Sequence, residues 1–174
     1  MSSPIRKHAL VLGFPSAILL ALIWYFLPLT FNWSPSVPVG VYWMTTDRSA
    51  PYLAFCMSAD MRAQAVAHGY HPLRGKCPDG TAWILKPNLQ HVHVITFSSA
   101  GFVIDNHMLP NTAPLAKDRF GRVLPHYRFG TYLASDKEVW VVSSYNKRSY
   151  DSRYFGPVST ASIVAYARPF VVAP

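Results

Sequence analysis

The feature that most constrains the fold is an uncharged apolar run from Ala9 to Leu29, ALVLGFPSAILLALIWYFLPL. About 20 apolar residues are enough for a helix to cross a bilayer. Arg6 and Lys7 precede the run, so the positive-inside rule places the N-terminus in the cytoplasm. A cleaved secretory signal is the alternative, but the run is longer than a usual signal core and no A-x-A site ends it. We therefore expect a retained membrane anchor within residues 1–30 and an extracytoplasmic domain over residues 31–174.

The charge of the chain favours a lipid surface over a nucleic acid. The formal net charge is +8, but no basic cluster is longer than Lys147-Arg148, and no predicted helix is striped with lysine or arginine. A basic surface beside anionic lipid headgroups explains such a distribution. In a Gram-negative cell, we expect anchoring in the inner membrane, a cytoplasmic N-terminus, a periplasmic domain and membrane lipid as a partner.

Beyond the anchor, β-prone runs separated by Pro, Gly, Asn and Asp predict a mainly β domain with one or two short helices. The best helix candidate is Ser58 to His68, with Ser58 as N-cap and Gly69 just past the end. Residues 111–130 form a long irregular stretch that suggests a surface insertion. The expected strands are Val37–Met44, Ala82–Lys86, His91–Phe97, Phe102–Leu109, Val139–Ser144 and Ile163–Val172, the last limited in its pairing by Pro169.

The chain has two cysteines, Cys56 and Cys77. In an oxidising compartment they can form one disulfide across a short loop, and two buried free thiols are the alternative. The predicted topology favours the disulfide, which would stabilise the fold by about 3 kcal/mol. There is no CxxC pair and no zinc-type cysteine spacing.

The histidines do not predict a metal site. His91 and His93 alternate along a predicted strand, and His68 lies three residues before His71. Imidazole is a common metal ligand, but no third ligand has a suitable spacing, so ordinary surface histidines are favoured. A Ser-His-Asp triad stays open, although no histidine lies in a recognisable triad motif. We expect no metal and no other cofactor.

A serine and a lysine carry the strongest chemical signal. Ser36 lies in SPSVPVG just beyond the anchor, and Lys86 follows in the apolar patch WILKP. A serine hydroxyl needs a base to take its proton, and a lysine can be that base only when burial lowers its pKa. The apolar neighbours of Lys86 can supply that burial. Ser34 is the rival nucleophile. Either serine can instead be a turn residue, and Lys86 can be a strand-end lysine that extends to solvent.

Asp151 and Arg153 flank Ser152 in SYDSRYFGPV. As a pair they can order a loop near the site and orient the lysine by hydrogen bonding. A purely structural Asp–Arg turn is the alternative, in which the side chains satisfy loop amides.

Together these blocks resemble the signal peptidase superfamily, and most closely its conjugative-transfer branch, the TraF-type peptidases. The resemblance covers the anchor, NWSPSVPVGVYW, the cysteines in AFCM and GKCPDG, WILKP, VIDNHMLPN, DRFGRVLP and SYDSRYFGPVS. It implies the β-rich core shared by signal peptidases and LexA-type self-cleaving proteins. It also implies Ser36 as nucleophile, Lys86 as general base, Ser34 as an oxyanion donor, and Ser149, Asp151 and Arg153 as supporting residues.

The implied function is that of a membrane-anchored serine endopeptidase that processes a pilin precursor for conjugative transfer through type IV secretion. An acyl-enzyme can be resolved by water, which gives a trimmed product, or by the substrate's own N-terminal amine, which gives a circle. The alternatives are a general type I signal peptidase and a non-catalytic module of a secretion complex. The short chain and the SRYFGPV block weigh against the general signal peptidase.

Overall fold

The computed structural model describes residues 27–70 and 74–173, and strands predominate among them, which confirms the mainly β class. Within these residues no helix is both long and apolar enough to cross a bilayer. The predicted membrane segment, residues 9–29, lies outside the described residues except for its last three.

The strands are numbered in chain order. They are β1 (Leu29–Asn32), β2 (Gly40–Thr45), β3 (Tyr52–Phe55), β4 (Ile84–Pro87), β5 (Val94–Ser98), β6 (Gly101–Ile104), β7 (His107–Met108), β8 (Gly130–Leu133), β9 (Glu138–Val139), β10 (Val158–Ser159) and β11 (Ile163–Val172). The α-helices are α1 (Ala59–Ala67) and α2 (Ser152–Phe155), and a 3-10 turn covers Thr160–Ser162.

The strands form antiparallel sheets. One has five strands in the order β1-β2-β11-β3-β4, another has four in the order β7-β6-β5-β8, and β9 pairs with β10. The long strand β11 is central to the first sheet because it pairs with β2 on one side and β3 on the other. Pairing with β3 stops at Ala167, and the register with β2 shifts between Pro169 and Val171. Proline has no amide hydrogen, so this interruption follows from the sequence.

Each face of the five-stranded sheet carries a hydrophobic cluster. Along β3, Leu53 belongs to one hydrophobic cluster, whereas the next residue, Ala54, belongs to another that also contains Leu85. This division follows from the alternation of side chains along a strand. Lys86 is directly paired with Leu53, and directly paired residues share a face. Lys86 therefore lies on the Leu53 face.

The predicted soluble helix is confirmed, including its ends. The Ser58 hydroxyl accepts a hydrogen bond from the Met61 amide, so Ser58 is the N-cap of α1. Gly69 adopts a φ of +63° and donates to the Val66 carbonyl, while the Tyr70 amide donates to the Ala65 carbonyl. These two bonds form a Schellman motif, which suits a glycine in the left-handed region.

The prediction of one strand over Phe102–Leu109 is wrong. The chain instead turns back between β6 and β7 at Asp105 and Asn106, whose φ values are +45° and +68°. Two residues with positive φ make a tight hairpin, and Asp and Asn tolerate this conformation better than most residues.

The predicted strand Val139–Ser144 is also largely wrong, because only Val139 lies in a strand. The amide of Val141 donates to Ser152 Oγ over 2.9 Å, and the amide of Ser143 donates to Asp151 Oδ2 over 3.0 Å. Side chains thus replace the neighbouring strand that would satisfy these groups in a sheet.

We call residues 139–143 the interlayer run. Val139 and Val141 pack into the hydrophobic cluster of Leu53, whereas Trp140 and Val142 pack into the cluster of the four-stranded sheet. Alternate residues thus face two different cores, and the run lies between the sheets before it reaches Ser143.

Candidate active site

Ser36 and Lys86 are in contact although 50 positions separate them in the chain. Ser36 lies in the turn between β1 and β2. The Asn32 side chain holds this turn, because its Nδ2 donates to the carbonyls of Ser34, over 2.8 Å, and Pro38, over 3.2 Å. Lys86 projects from β4, and its Nζ lies 2.8 Å from Ser36 Oγ.

Lys86 is buried in a polar pocket, with 2% of its surface exposed. Its Nζ donates to Ser149 Oγ over 2.6 Å and to the Tyr150 carbonyl over 3.0 Å, as well as to Ser36. Burial lowers the pKa of Lys86 to about 8, because the charged form loses hydration; the Asp151 charge opposes this shift and the Arg153 charge adds to it. A neutral amine is therefore accessible near physiological pH.

The apolar sequence neighbours of Lys86 divide between the two faces of the sheet, and Ile84 packs on the cluster of Leu53, on the same face as Lys86. Leu85 points to the opposite face of the sheet from Lys86, into the cluster of Ala54. Strand alternation makes an adjacent residue a poor shield. Lys86 is also enclosed by tertiary contacts, among them those with Ser149 and Tyr150.

Two further hydroxyls surround Ser36 Oγ. Ser149 Oγ donates to it over 3.0 Å, and Ser34 Oγ donates to it over 3.2 Å. The Ser36 amide donates to Ser34 Oγ over 3.4 Å, so the Ser34 hydroxyl and the Ser36 amide are neighbours. Two donors so placed can stabilise an oxyanion that forms at Ser36.

Asp151 and Arg153 form a fully buried ion pair beneath the site. Arg153 Nε and Nη2 donate to the two carboxylate oxygens of Asp151, each over 2.8 Å. The remaining guanidinium hydrogens reach the backbone carbonyls of Asn111, Asn146, Lys147 and Ser149. The pair thus fixes the loop that carries Ser149. It acts on Lys86 through this loop and through its charges, whereas the lysine donates its direct hydrogen bonds to Ser36, Ser149 and Tyr150.

Ser143 is a site residue that the sequence reasoning missed. It is fully buried, and its hydroxyl donates to the Ser36 carbonyl over 2.5 Å and accepts from the Asn146 amide over 3.1 Å. The surrounding sequence, WVVSSYN, shows only a serine that ends an apolar run. Its role depends on a partner 107 positions away, for which the local pattern carries no signal.

Cys56 and Cys77 form a disulfide. It joins the residue after β3 to the loop that leads into β4. An ion pair between Arg62 and Asp79 also links this loop to α1. The cross-links therefore restrain the chain on the approach to Lys86.

A cleft of about 500 Å³ opens above Ser36 and Lys86. The polar part of its lining is formed by Ser34, Ser36, Lys86 and Ser149, with Arg148 beside Ser149. Aromatic side chains also line it, namely Trp33, Trp83, Tyr150 and Tyr154. The stretch predicted to be irregular adds Leu115, Asp118, Arg119 and Leu124. The stretch 111–130 thus contributes a wall of the candidate active site.

The histidines show no metal centre in the part of the chain that the structure describes, where no group of three or more His, Cys, Asp or Glu side chains could hold an ion. The strand expected to carry His91 and His93 begins only at Val94, so the alternation argument for this pair was wrong. His93 Nδ1 lies 3.5 Å from the Asp105 carboxylate. His71 lies outside the described residues.

Comparison with known proteins gives a family match and several relatives. Residues 93–172 match the family model described as signal peptidase, peptidase S26; this span includes Ser149, Asp151 and Arg153 but neither Ser36 nor Lys86. A plasmid transfer protein TraF of Escherichia coli is 31% identical over 177 residues, which cover 98% of this chain and 99% of that protein. The probable conjugal transfer protein TraF of Sinorhizobium fredii is 29% identical over 141 residues, covering 79% of this chain and 73% of that protein. No solved structure matches the chain.

Proposed function

Because the chain belongs to the TraF-type branch of the signal peptidase S26 family, we propose that it is a serine endopeptidase with Ser36 as nucleophile and Lys86 as general base. Family membership assigns the chain to the peptidases. The identification of Ser36 and Lys86 as its catalytic residues is the more specific part of the proposal. The observation that carries it is the 2.8 Å contact between Lys86 Nζ and Ser36 Oγ, formed by a lysine that is 2% exposed.

In the first half-reaction, neutral Lys86 takes the Ser36 proton while Oγ bonds to the scissile carbonyl carbon. The Ser36 amide and the Ser34 hydroxyl stabilise the oxyanion, and one such donor is worth about 3 kcal/mol in the transition state. The protonated lysine then gives its proton to the leaving amine as the C–N bond breaks. An ester between Ser36 Oγ and the substrate acyl group remains.

In the second half-reaction, Lys86 takes a proton from the attacking nucleophile and returns it to Ser36 Oγ as the ester breaks. Attack by water releases a new carboxyl terminus. Attack by the N-terminal amine of the same substrate forms an amide bond and closes a ring. Ser149 accepts a hydrogen bond from Lys86 and donates one to Ser36, so it aligns the base with the nucleophile in both halves.

We assign the substrate to the pilin precursors of conjugative type IV secretion, with small residues before the cleaved bond. The names of the relatives refer to plasmid and conjugal transfer, which supports this assignment. In this proposal residues 9–29 anchor the protein in the inner membrane and the peptidase domain lies in the periplasm. The uncharged run after Arg6 and Lys7 supports that topology, as does a disulfide suited to an oxidising compartment. Anchoring raises the effective concentration of a membrane-bound substrate at the cleft.

The proposal is tested by intact mass spectrometry of a candidate pilin precursor co-expressed with the protein. We expect wild type to remove a peptide and Ser36→Ala and Lys86→Met to remove none, while each variant stays folded and membrane-bound. Ser99→Ala, at an exposed serine in the β5–β6 turn, is the matched control and should process normally. A further loss of about 18 Da, one water, indicates ring closure from the acyl-enzyme.

Normal processing by Ser36→Ala would overturn the proposal. Accumulation of many exported precursors on depletion of the protein would favour a general signal peptidase. A folded wild-type protein whose Ser36 reacts with no acylating reagent would favour the non-catalytic module.

A further inference from the structure

The cleft wall from the stretch 111–130 is a small hairpin. Lys117 and Val123 form an antiparallel bridge, the Asp118 amide donates to the Arg122 carbonyl, and Gly121 turns the chain with a φ of +79°. We call residues 116–124 the cleft hairpin. Its side chains at Asp118, Arg119 and Leu124 line the cavity above Ser36.

A buried carboxylate fastens the cleft hairpin to the end of α1. The Asp118 side chain is 5% exposed, and its Oδ2 accepts from Tyr70 Oη over 2.5 Å and from Arg122 Nε over 2.6 Å. Arg122 Nη2 also donates to the His68 carbonyl over 2.9 Å. The negative charge of Asp118 is therefore already compensated, and the hairpin is held in place beside the cleft.

Two other cationic residues of the cleft have no such compensation. Arg119 follows Asp118 in the hairpin, and Arg148 precedes Ser149; both are exposed and both line the cavity. Neither forms an ion pair with a carboxylate in the described ranges 27–70 and 74–173. With Lys86 neutral in its reactive form, the cleft retains two uncompensated guanidinium groups.

From this arrangement we infer that the cleft selects peptides with a carboxylate close to the scissile bond, and that Arg119 and Arg148 are its specificity-determining residues. The inference deepens the proposed function and rests on it for the identity of the cleft as a peptide site. A guanidinium pairs with a carboxylate through two parallel hydrogen bonds, which favours this group over a neutral amide of the same shape. The carboxylate can belong to an Asp or Glu side chain or to the C-terminus of the substrate.

The test measures peptide binding to full-length Ser36→Ala in detergent micelles, by fluorescence anisotropy. One arm compares C-terminally amidated peptides from a candidate pilin cleavage region that carry Glu or Gln at a single position near the scissile bond. The other arm compares a Gln peptide that ends at that position with a free carboxylate or with an amide. These arms separate a side-chain carboxylate from a terminal one, and neither depends on turnover.

We expect the anionic peptide in at least one arm to bind about fivefold more tightly than its neutral partner, as for a partly exposed ion pair. Adding Arg119→Gln or Arg148→Gln should reduce this ratio below about twofold, as should about 1 M salt. Adding Arg48→Gln, at an exposed arginine outside the cleft, should leave the ratio unchanged.

Equal affinities in both arms, a preference that survives both cleft substitutions, or no detectable binding of any anionic peptide would overturn the inference. A failure of the proposed function has a different signature, which is the absence of cleavage by wild type in the precursor experiment.

Discussion

The hydroxyl of Ser143 donates a 2.5 Å hydrogen bond to the backbone carbonyl of Ser36. The amide of Ser143 is bound in turn by Asp151, which is paired with Arg153. The backbone of the proposed nucleophile is therefore connected to the buried ion pair through one side chain. This connection makes Ser143 a positioning residue, since it touches Ser36 and not the substrate.

Ser143→Ala should lower kcat about fivefold with little change in KM, because losing the hydrogen bond to the Ser36 carbonyl costs about 1 kcal/mol and releases the Ser36 backbone from its position. Steady-state kinetics on a peptide substrate measures kcat and KM separately. Ser144→Ala, at the adjacent and less buried serine, is the matched control. An equal loss in both variants, or a change confined to KM, would contradict the positioning role.

The pH dependence of the reaction should report the ionisation of Lys86. Only the neutral amine can take the Ser36 proton, and the pKa of Lys86 is lowered to about 8 by burial. The value of kcat/KM should therefore rise about tenfold per pH unit below 8 and level off above it. A pH–rate profile of wild type measures this, with far-UV circular dichroism at each pH as the control for folding. A flat profile would exclude Lys86 as the base.

The same ionisation predicts how stability depends on pH. Folding lowers the pKa of Lys86 from 10.5 to about 8, so between these values the unfolded chain binds more protons than the folded one. The free energy of unfolding should therefore rise with pH across this window, by roughly 3 kcal/mol in total, and this contribution is lost as the pH falls through 8. Urea unfolding at pH 7.5 and pH 9.5 tests the sign, with Lys86→Met as the reference that lacks the group. A wild-type slope no steeper than that of Lys86→Met would contradict the buried lysine.

Asp151 and Arg153 should be coupled in stability. Asp151→Asn or Arg153→Met leaves a charge without its partner in a fully buried place, which costs about 3–5 kcal/mol. The double variant should lose less free energy of unfolding than the two single variants added together, because the second substitution removes the charge that the first left unpaired. Urea unfolding of wild type, the two single variants and the double variant measures this double-mutant cycle. Additive effects would show that the pair is not an energetic unit.

Features of the fold that depend on local sequence were predicted well. Helix α1 was found because Ser58 and Gly69 carry its capping signals, and β11 was found with its observed bounds as a β-prone run of ten residues. The short strands β1, β3 and β8 were missed, since each has four residues and is defined by distant partners rather than by its own pattern. The hairpin at Asp105 and Asn106 was missed because its turn lacks the glycine that usually marks such a loop.

The residues of the candidate site likewise divide into those with a local sequence signal and those without one. Ser36 and Lys86 were singled out from motif chemistry and family resemblance, and the structure brings them together. Ser143 and the cleft hairpin could not be predicted, because their parts in the site arise from contacts with chain segments far away in sequence. The role of Asp118, for example, depends on Tyr70, 48 positions earlier.

The interlayer run has a consequence for the lifetime of the active site. Its alternate residues are set in two separate cores, and its last residue holds the carbonyl of Ser36. A local opening of a surface loop cannot release Ser143, because moving it means separating the two hydrophobic cores into which the interlayer run is packed. Amide hydrogen exchange at Ser143 should thus occur only through global unfolding. The alignment of Ser36 with Lys86 would then persist as long as the domain itself stays folded.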